Sequence, residues 1–252
     1  PAAQLRDGAV VRHPVEEVEA EIADIHEEFI ERKQLRQDAF EAFMKIEPKQ
    51  LVPEEALYRE MRMNYKNYFT GGMGAEAVRD LLQNRDGLML GICNGFQALV
   101  KLGLVPYGDI VPMTDECPTL TFNTIGRHQS RLVRTRVASS LSPWLSECKV
   151  GDTHTVAISH GEGRFVASPE LIEKLIANGQ VATQYVDAEG KPSMDLSVNP
   201  NGSVLSIEGI TSPDGRVLGK MGHTERSGAG LYRNIPDFTY QPLIEGGVEY
   251  FK

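Results

Sequence analysis

Hydrophobic positions along this chain change their spacing near residue 88. Upstream, "VEEVEAEIADIHEEFIERKQLRQDAFEAFMKI" (15–46) sets Val15, Val18, Ile22, Ile25 and Phe29 at alternating steps of three and four, with Glu, Lys and Arg on the other faces. That heptad seam predicts a long helix or helical hairpin, suited to packing on a partner or self-associating as a coiled coil. "LVPEEALYREM" restarts a helix around Pro53, and "YFTGGMGAEAVRDLL" breaks at Gly71-Gly72 and resumes as another. No strand pattern precedes residue 88.

From there the grammar is different. "LMLGI" is a short apolar strand, and "GFQALVKLG" is helical as far as Gly103. "SRLVRTRVA" alternates like a strand, "HTVAIS" is apolar and ends at His160, and "PELIEKLIANG" is a helix entered through Ser168-Pro169 and left at Gly179. "QVATQYVDAEGKP" reads as strand then turn. "SVLSIEGITSPDGRVLGKMGH" is two β runs joined at Pro213-Asp214-Gly215. Helices interleaved with apolar strands predict an α/β domain over 85–252, behind an all-helical segment over 1–84.

Composition narrows the function classes. With 252 residues, 41% hydrophobic and 24% charged, the chain has room for one or two globular domains. A net charge of -9 argues against a nucleic-acid grip. No apolar stretch reaches the length of a membrane span, and the opening residues do not form a signal peptide. The first residue is Pro rather than Met, so the chain is expected to begin inside a longer one. Cys93, Cys117 and Cys148 form no C-x-x-C pair and no metal-ligand spacing with histidine, so reduced thiols in the cytoplasm and no metal site are expected.

Cys93 draws the chemistry. It lies between a buried strand and a helix, whose unpaired N–H groups favour a thiolate, and Gly91 and Gly95 flank it at minus and plus two. Missing side chains at those glycines allow a sharp turn and close packing of helix on strand. G-x-C-x-G is the cysteine counterpart of the G-x-S-x-G nucleophile elbow, and the Asn94 N–H would face an oxyanion formed on attack. A buried structural thiol is an equally good reading of the motif alone. Of six histidines, His160 and His223 each end an apolar strand, where α/β active sites collect. His223 has Glu225 two residues on, able to accept from one ring nitrogen while the other faces the thiol, so it is the better base. His26 reads as a solvated helix residue, His128 as a surface or phosphate-facing one, and His154 lacks an evident partner.

Taken together, "GICNGFQALVKLGLVPYG", "ISHGEGRF", "NPNGSVLSIEGITSPDGRVLGKMGHTER" and "GLYRNIP…GGVEYFK" resemble the glutaminase domain of phosphoribosylformylglycinamidine synthase, from about Arg85 to Lys252. The resemblance implies an incomplete flavodoxin-like, class I glutamine amidotransferase domain. It implies that Cys93 attacks the glutamine side-chain amide, that His223 shuttles protons and that Glu225 orients it. Asn94 and Gln97 would face the substrate, as would Ser159, His160 and Gly161 of the "SHGEG" loop. Ammonia would pass to a separate synthase module that uses ATP, magnesium and formylglycinamide ribonucleotide. The glutaminase domain itself would need no cofactor.

One departure from that family is visible upstream. Its early strands and a G-G-F-S-x-G-D loop, which gives the second oxyanion donor, have no counterpart; only Gly71-Gly72 in "FTGGMGAEA" comes near. "KIEPKQLVPEEALYREM…YFTGGMGAEAVRDLL" (45–82) is instead similar to a stretch of the bacterial RNA polymerase β′ subunit. On that basis the chain reads as two joined fragments meeting near 80–86. The alternatives to a glutaminase are then a helical interaction module carrying a silent α/β remnant, or a cysteine hydrolase acting on another amide.

Overall fold

The computed structural model describes residues 73–227, 231–232, 235 and 238–252. The heptad seam over 15–46, the helix at Pro53 and the Gly71-Gly72 break lie outside the described residues. A compact unit takes in residues 66–252. Its first described element is α1 (Met73–Arg79), which continues as a π-helical turn over Asp80–Asn84. Val78 and Leu82 from this stretch join the main apolar core, so residues upstream of 85 pack with the α/β elements. Arg79 fastens the helix to Asp109 at 2.9 Å and to the Ile110 carbonyl at 3.0 Å.

The apolar run at 88 becomes β1 (Met89–Ile92), and α2 (Asn94–Leu102) follows after a single residue. Gly103 ends α2 in the left-handed region at φ 84°, as a C-terminal glycine does. β1 runs parallel to β8 (Val217–Lys220), in a register that pairs Gly91 with Gly219. A Cβ at Gly91 would lie 2.5 Å from Leu99 Cδ1, and one at Gly219 would lie 2.1 Å from the Phe96 ring. These two bare positions form the floor on which α2 sits, burying Phe96, Leu99 and Val100. Burying three such side chains stabilises by several kcal/mol at ~1.5–3 kcal/mol each.

The other strands are β2 (Thr119–Thr121), β3 (Gln129–Val137), β4 (Thr153–His160), β5 (Arg164–Val166), β6 (Val181–Tyr185) and β7 (Ile207–Thr211). Strand order in the main sheet is β1-β8-β7-β6-β3-β4, and β2 pairs with β5 in a small separate sheet. β1 and β8 are parallel, whereas every other pairing of the main sheet is antiparallel. The α/β expectation is met by a mixed sheet. α3 (Pro169–Ala177) begins where its sequence predicts, with Ser168 Oγ accepting from the Leu171 N–H at 3.3 Å. α4 (Leu243–Glu249) closes the chain against Trp144.

Two features of the sheet set up the site. It curls, so that β4, last in the order, meets the chain leaving β8, second in the order: the His223 N–H, just past β8, donates to the Ala157 carbonyl of β4 at 2.8 Å. Among the described residues β1 is paired on one edge only, to β8. Among the same residues no helix is long and apolar enough to cross a membrane.

Candidate active site

Cys93 occupies the one-residue junction between β1 and α2 with φ 54° and ψ −107°. That region is sparsely allowed to an L-residue with a side chain, so the turn is strained, as a nucleophile elbow is. Its N–H donates to the Lys220 carbonyl at the end of β8 (2.8 Å), and its carbonyl accepts from the Gln97 N–H (3.1 Å) to start α2. Sγ donates toward the Ser159 carbonyl at 3.9 Å. Burial pushes the thiol pKa up, and Glu225 adds to the rise; the Asn94 N–H and Arg226 oppose it without cancelling it. The helix N-terminus does favour the thiolate, but burial outweighs it at rest. A protonated thiol needs a base. Gly95 also departs from expectation. A Cβ there meets nothing within 4 Å among the described residues, so close packing of α2 rests on Gly91 and Gly219.

His223 lies three residues beyond β8. A 3₁₀ turn over Thr224–Arg226 folds Glu225 back, and its Oε1 sits 2.6 Å from His223 Nδ1. Nε2 is buried and has no hydrogen-bond partner among the described residues. A carboxylate on Nδ1 favours a proton there, and in the neutral ring Nε2 is then the free acceptor. Cys93 and His223 converge on one strand: Ser159 and Ala157, whose carbonyls take the thiol and the His223 N–H, are two residues apart on β4, roughly 6.6 Å along it.

The loop after β4 completes the cluster. His128 Nε2 lies 3.0 Å from Ser159 Oγ, and Gln97 Nε2 donates to the Glu162 carbonyl at 2.5 Å. Asn123, which the sequence reading passed over, organises this loop. Its side-chain amide donates to the His160 carbonyl (2.8 Å), its oxygen accepts from the Gly163 N–H (3.2 Å), and its own N–H donates to the Gly161 carbonyl (2.9 Å). Asn201 holds the far end through the Gly163 carbonyl at 2.6 Å. The His160 ring packs against Gly163, with neither nitrogen bonded among the described residues. Burial, then the charge of His128, holds its pKa down to about 4, so the ring is neutral.

Thus Cys93, Asn94, Gln97, Ser159, His160, Gly161, His223 and Glu225 surround one end of the sheet. His154 is buried elsewhere, and desolvation lowers its pKa. Cys148 belongs to a second apolar cluster, where burial raises its pKa to about 11. No group of His, Cys, Asp and Glu that could hold a metal ion occurs among the described residues. Lys220 and Glu208, both fully buried beneath His223, also escaped the sequence reading. Their signal was opposite charges in two neighbouring apolar strands.

Fold and site together define an α/β protein with a strained cysteine turn beside a histidine–carboxylate pair. A family model described as the CobB/CobQ-like glutamine amidotransferase domain matches residues 66–251, and the chain belongs to that family. The match begins at residue 66, upstream of position 85 where the α/β domain is expected from the sequence. Among curated relatives, phosphoribosylformylglycinamidine synthase subunit PurQ of Symbiobacterium thermophilum is 38% identical over 152 residues, which are 60% of this chain and 59% of that protein. The same subunit of Aquifex aeolicus is 35% identical over 153 residues, 61% of each. The chain therefore spans about three-fifths of the length of these relatives. Among solved structures, PurLQS from Thermotoga maritima is similar over 75% of this chain and 76% of that one, at 25% identity and a TM-score of 0.49.

Proposed function

We propose that this chain hydrolyses the side-chain amide of glutamine at Cys93 and supplies the ammonia for formylglycinamidine ribonucleotide synthesis in purine biosynthesis. The observation that carries the proposal is the strained backbone of Cys93 beside a histidine whose Nδ1 is held by Glu225. In this mechanism Sγ attacks the amide carbon as His223 Nε2 takes the thiol proton, and the carbonyl electron pair moves onto oxygen, facing the Asn94 N–H. The intermediate collapses, the C–N bond breaks, and nitrogen leaves as ammonia with the proton from His223. Water then attacks the thioester, with its proton passing to His223. Glutamate is released when the C–S bond breaks and sulfur is reprotonated. Gln97, Ser159, His160 and Gly161 line the place where the amino-acid end of glutamine would sit.

The partner in this reading is a synthase module, which would use ATP and magnesium; the glutaminase half uses protein groups alone. The relatives named above support it, since they are subunits of that synthase by name. The test is ammonia release from glutamine by the native chain and by Cys93→Ala. The variant is expected to fall to background, and equal release from both would remove the proposal. Delivery is tested by adding a synthase module: product formation from glutamine should require Cys93.

A further inference from the structure

Lys220 and Glu208 are wholly buried, with Nζ and Oε1 3.4 Å apart on the antiparallel neighbours β8 and β7. Amide hydrolysis as written above uses neither. Their bonds fall on the chain to either side of His223. Glu208 Oε1 accepts the Gly222 N–H at 2.5 Å, while Lys220 Nζ donates to the Gly222 carbonyl at 3.0 Å and to Thr224 Oγ1 at 2.9 Å. Thr224 passes the chain on to Gln241 Oε1 at 2.6 Å, and Thr183 donates to the other oxygen of Glu208. Position 222 has no room for a side chain: a Cβ would lie 2.6 Å from Val156 Cγ2 and 2.9 Å from Glu208 Oε1. Both polar groups of the residue before His223, and the side chain of the residue after it, are therefore gripped by one ion pair.

A buried ion pair is a poor way to gain stability, because its desolvation offsets the attraction and apolar residues of like volume often do as well. What apolar residues cannot do is bond a peptide N–H and a carbonyl together. We propose that Lys220 and Glu208 are positioning residues for His223, fixing the backbone around it so that the ring is held for proton transfer with Cys93 rather than swinging with the loop. The proposal rests on the reading of His223 as the base. It predicts that the pair governs turnover more than substrate binding, because a misaimed base weakens proton transfer and leaves the glutamine contacts alone.

The experiment uses the full chain with Lys220→Met, the double variant Lys220→Met/Glu208→Gln, and Thr224→Val, which keeps the ion pair. Glutaminase kcat and KM, the thermal midpoint, and the NMR signal and titration of the His223 ring are measured. The double variant is expected to be at least as heat-stable as Lys220→Met, yet to lose about 10- to 100-fold in kcat with KM changed by about twofold or less. Its His223 ring signal moves and its titration shifts; Thr224→Val gives a smaller change in the same direction. A folded double variant with native kcat and an unmoved His223 signal overturns the proposal. If the double variant does not fold, Thr224→Val decides by the same two readouts. Equal ammonia release by native chain and Cys93→Ala defeats the glutaminase reading instead, and the ring signal still decides whether the pair positions His223.

Discussion

Acid is expected to destabilise this protein through His160. The residue is 5% exposed, its ring lies against Gly163, and neither nitrogen has a hydrogen-bond partner among the described residues. Burial is the main reason its pKa falls from 6.5 to about 4; charges at His128 and His223 lower it further, against an opposing pull from Glu208. Above pH ~6.5 neither the folded nor the unfolded chain carries the proton, so this group adds no pH dependence. Between 6.5 and 4 the unfolded chain takes up a proton that the folded chain refuses, and stability falls as pH falls. Below 4 both states are protonated and the loss is complete. At ~1.4 kcal/mol per pH unit the window is worth about 3 kcal/mol, a large part of a typical domain's 5–15 kcal/mol.

The matching perturbation is His160→Phe, which keeps a planar ring and deletes the proton site. Since the native ring makes no hydrogen bond among the described residues, the variant loses none. Its stability at pH 7.5 is expected to stay within about 1–2 kcal/mol of native, the range of shape-conserving core changes. Urea titrations followed by far-UV circular dichroism, at constant ionic strength and pH 7.5, 5.5 and 4.5, give the slope. The native midpoint should drop steeply over this range and the variant's much less, the remainder coming from His154, whose pKa is also depressed by burial. An acid slope as steep in His160→Phe as in the native chain would show that His160 does not carry the effect.

Glu225→Gln removes the charge that holds Nδ1–H and lets His223 adopt the other tautomer, so glutaminase kcat is expected to fall about 10²- to 10⁴-fold with the fold intact; a loss under twofold contradicts the assignment. Gly219→Ala drives a methyl into the Phe96 ring and is expected to cost about 1–3 kcal/mol in urea, whereas Gly95→Ala, with open space around it, gains up to about 1 kcal/mol of helix stability. The opposite order would refute the account of how α2 is seated. Iodoacetamide at pH 7, followed by peptide mass spectrometry, should label Cys117 first. Burial raises its pKa, but the Thr114 and Tyr107 bonds and the charge of Lys101 outweigh that and leave it below the usual value. Cys93, raised by burial, reacts faster only as pH climbs, and Cys148, at about 11, reacts last.

What could be read from the sequence was what neighbours in sequence determine. β1, α2 and α3 announce themselves by apolar period and end signals, and Cys93, His223 and Glu225 by short local patterns. α4 did not, because Gly246 and Gly247 disfavour a helix; the helix forms since bare positions let it close on Trp144, where a Cβ would come within 2.4 Å of the indole ring. β2 and β5 are three residues each, too short to show a period, and exist by pairing with each other. Asn123 lies 37 residues from the His160 carbonyl it binds, and Glu208 becomes a partner of Lys220 only through the β7–β8 register. The Gly91–Gly219 floor is of the same kind, since half of it was visible in G-x-C-x-G and half arrives with β8.

Strain at Cys93 has to be held by its surroundings, at a cost of order 1–3 kcal/mol. On the β8 side the restraint is complete: the Cys93 N–H is bonded to Lys220, α2 is pressed onto two glycines, and the thiol faces a β4 strand fixed to the His223 loop. β1 has no strand on its other edge among the described residues. Among the described residues the strand paired beside the cysteine turn is β8, whose last residue, Lys220, also grips the backbone around His223. Lys220 bonds the Cys93 N–H through its carbonyl, and through its ammonium it bonds the two residues that flank His223, Gly222 and Thr224. A change confined to the Lys220 side chain removes its bonds to the Gly222 carbonyl and Thr224 Oγ1 on either side of His223 and leaves the backbone bond from the Cys93 N–H in place. Disturbing the pair should therefore slow turnover before it loosens the fold.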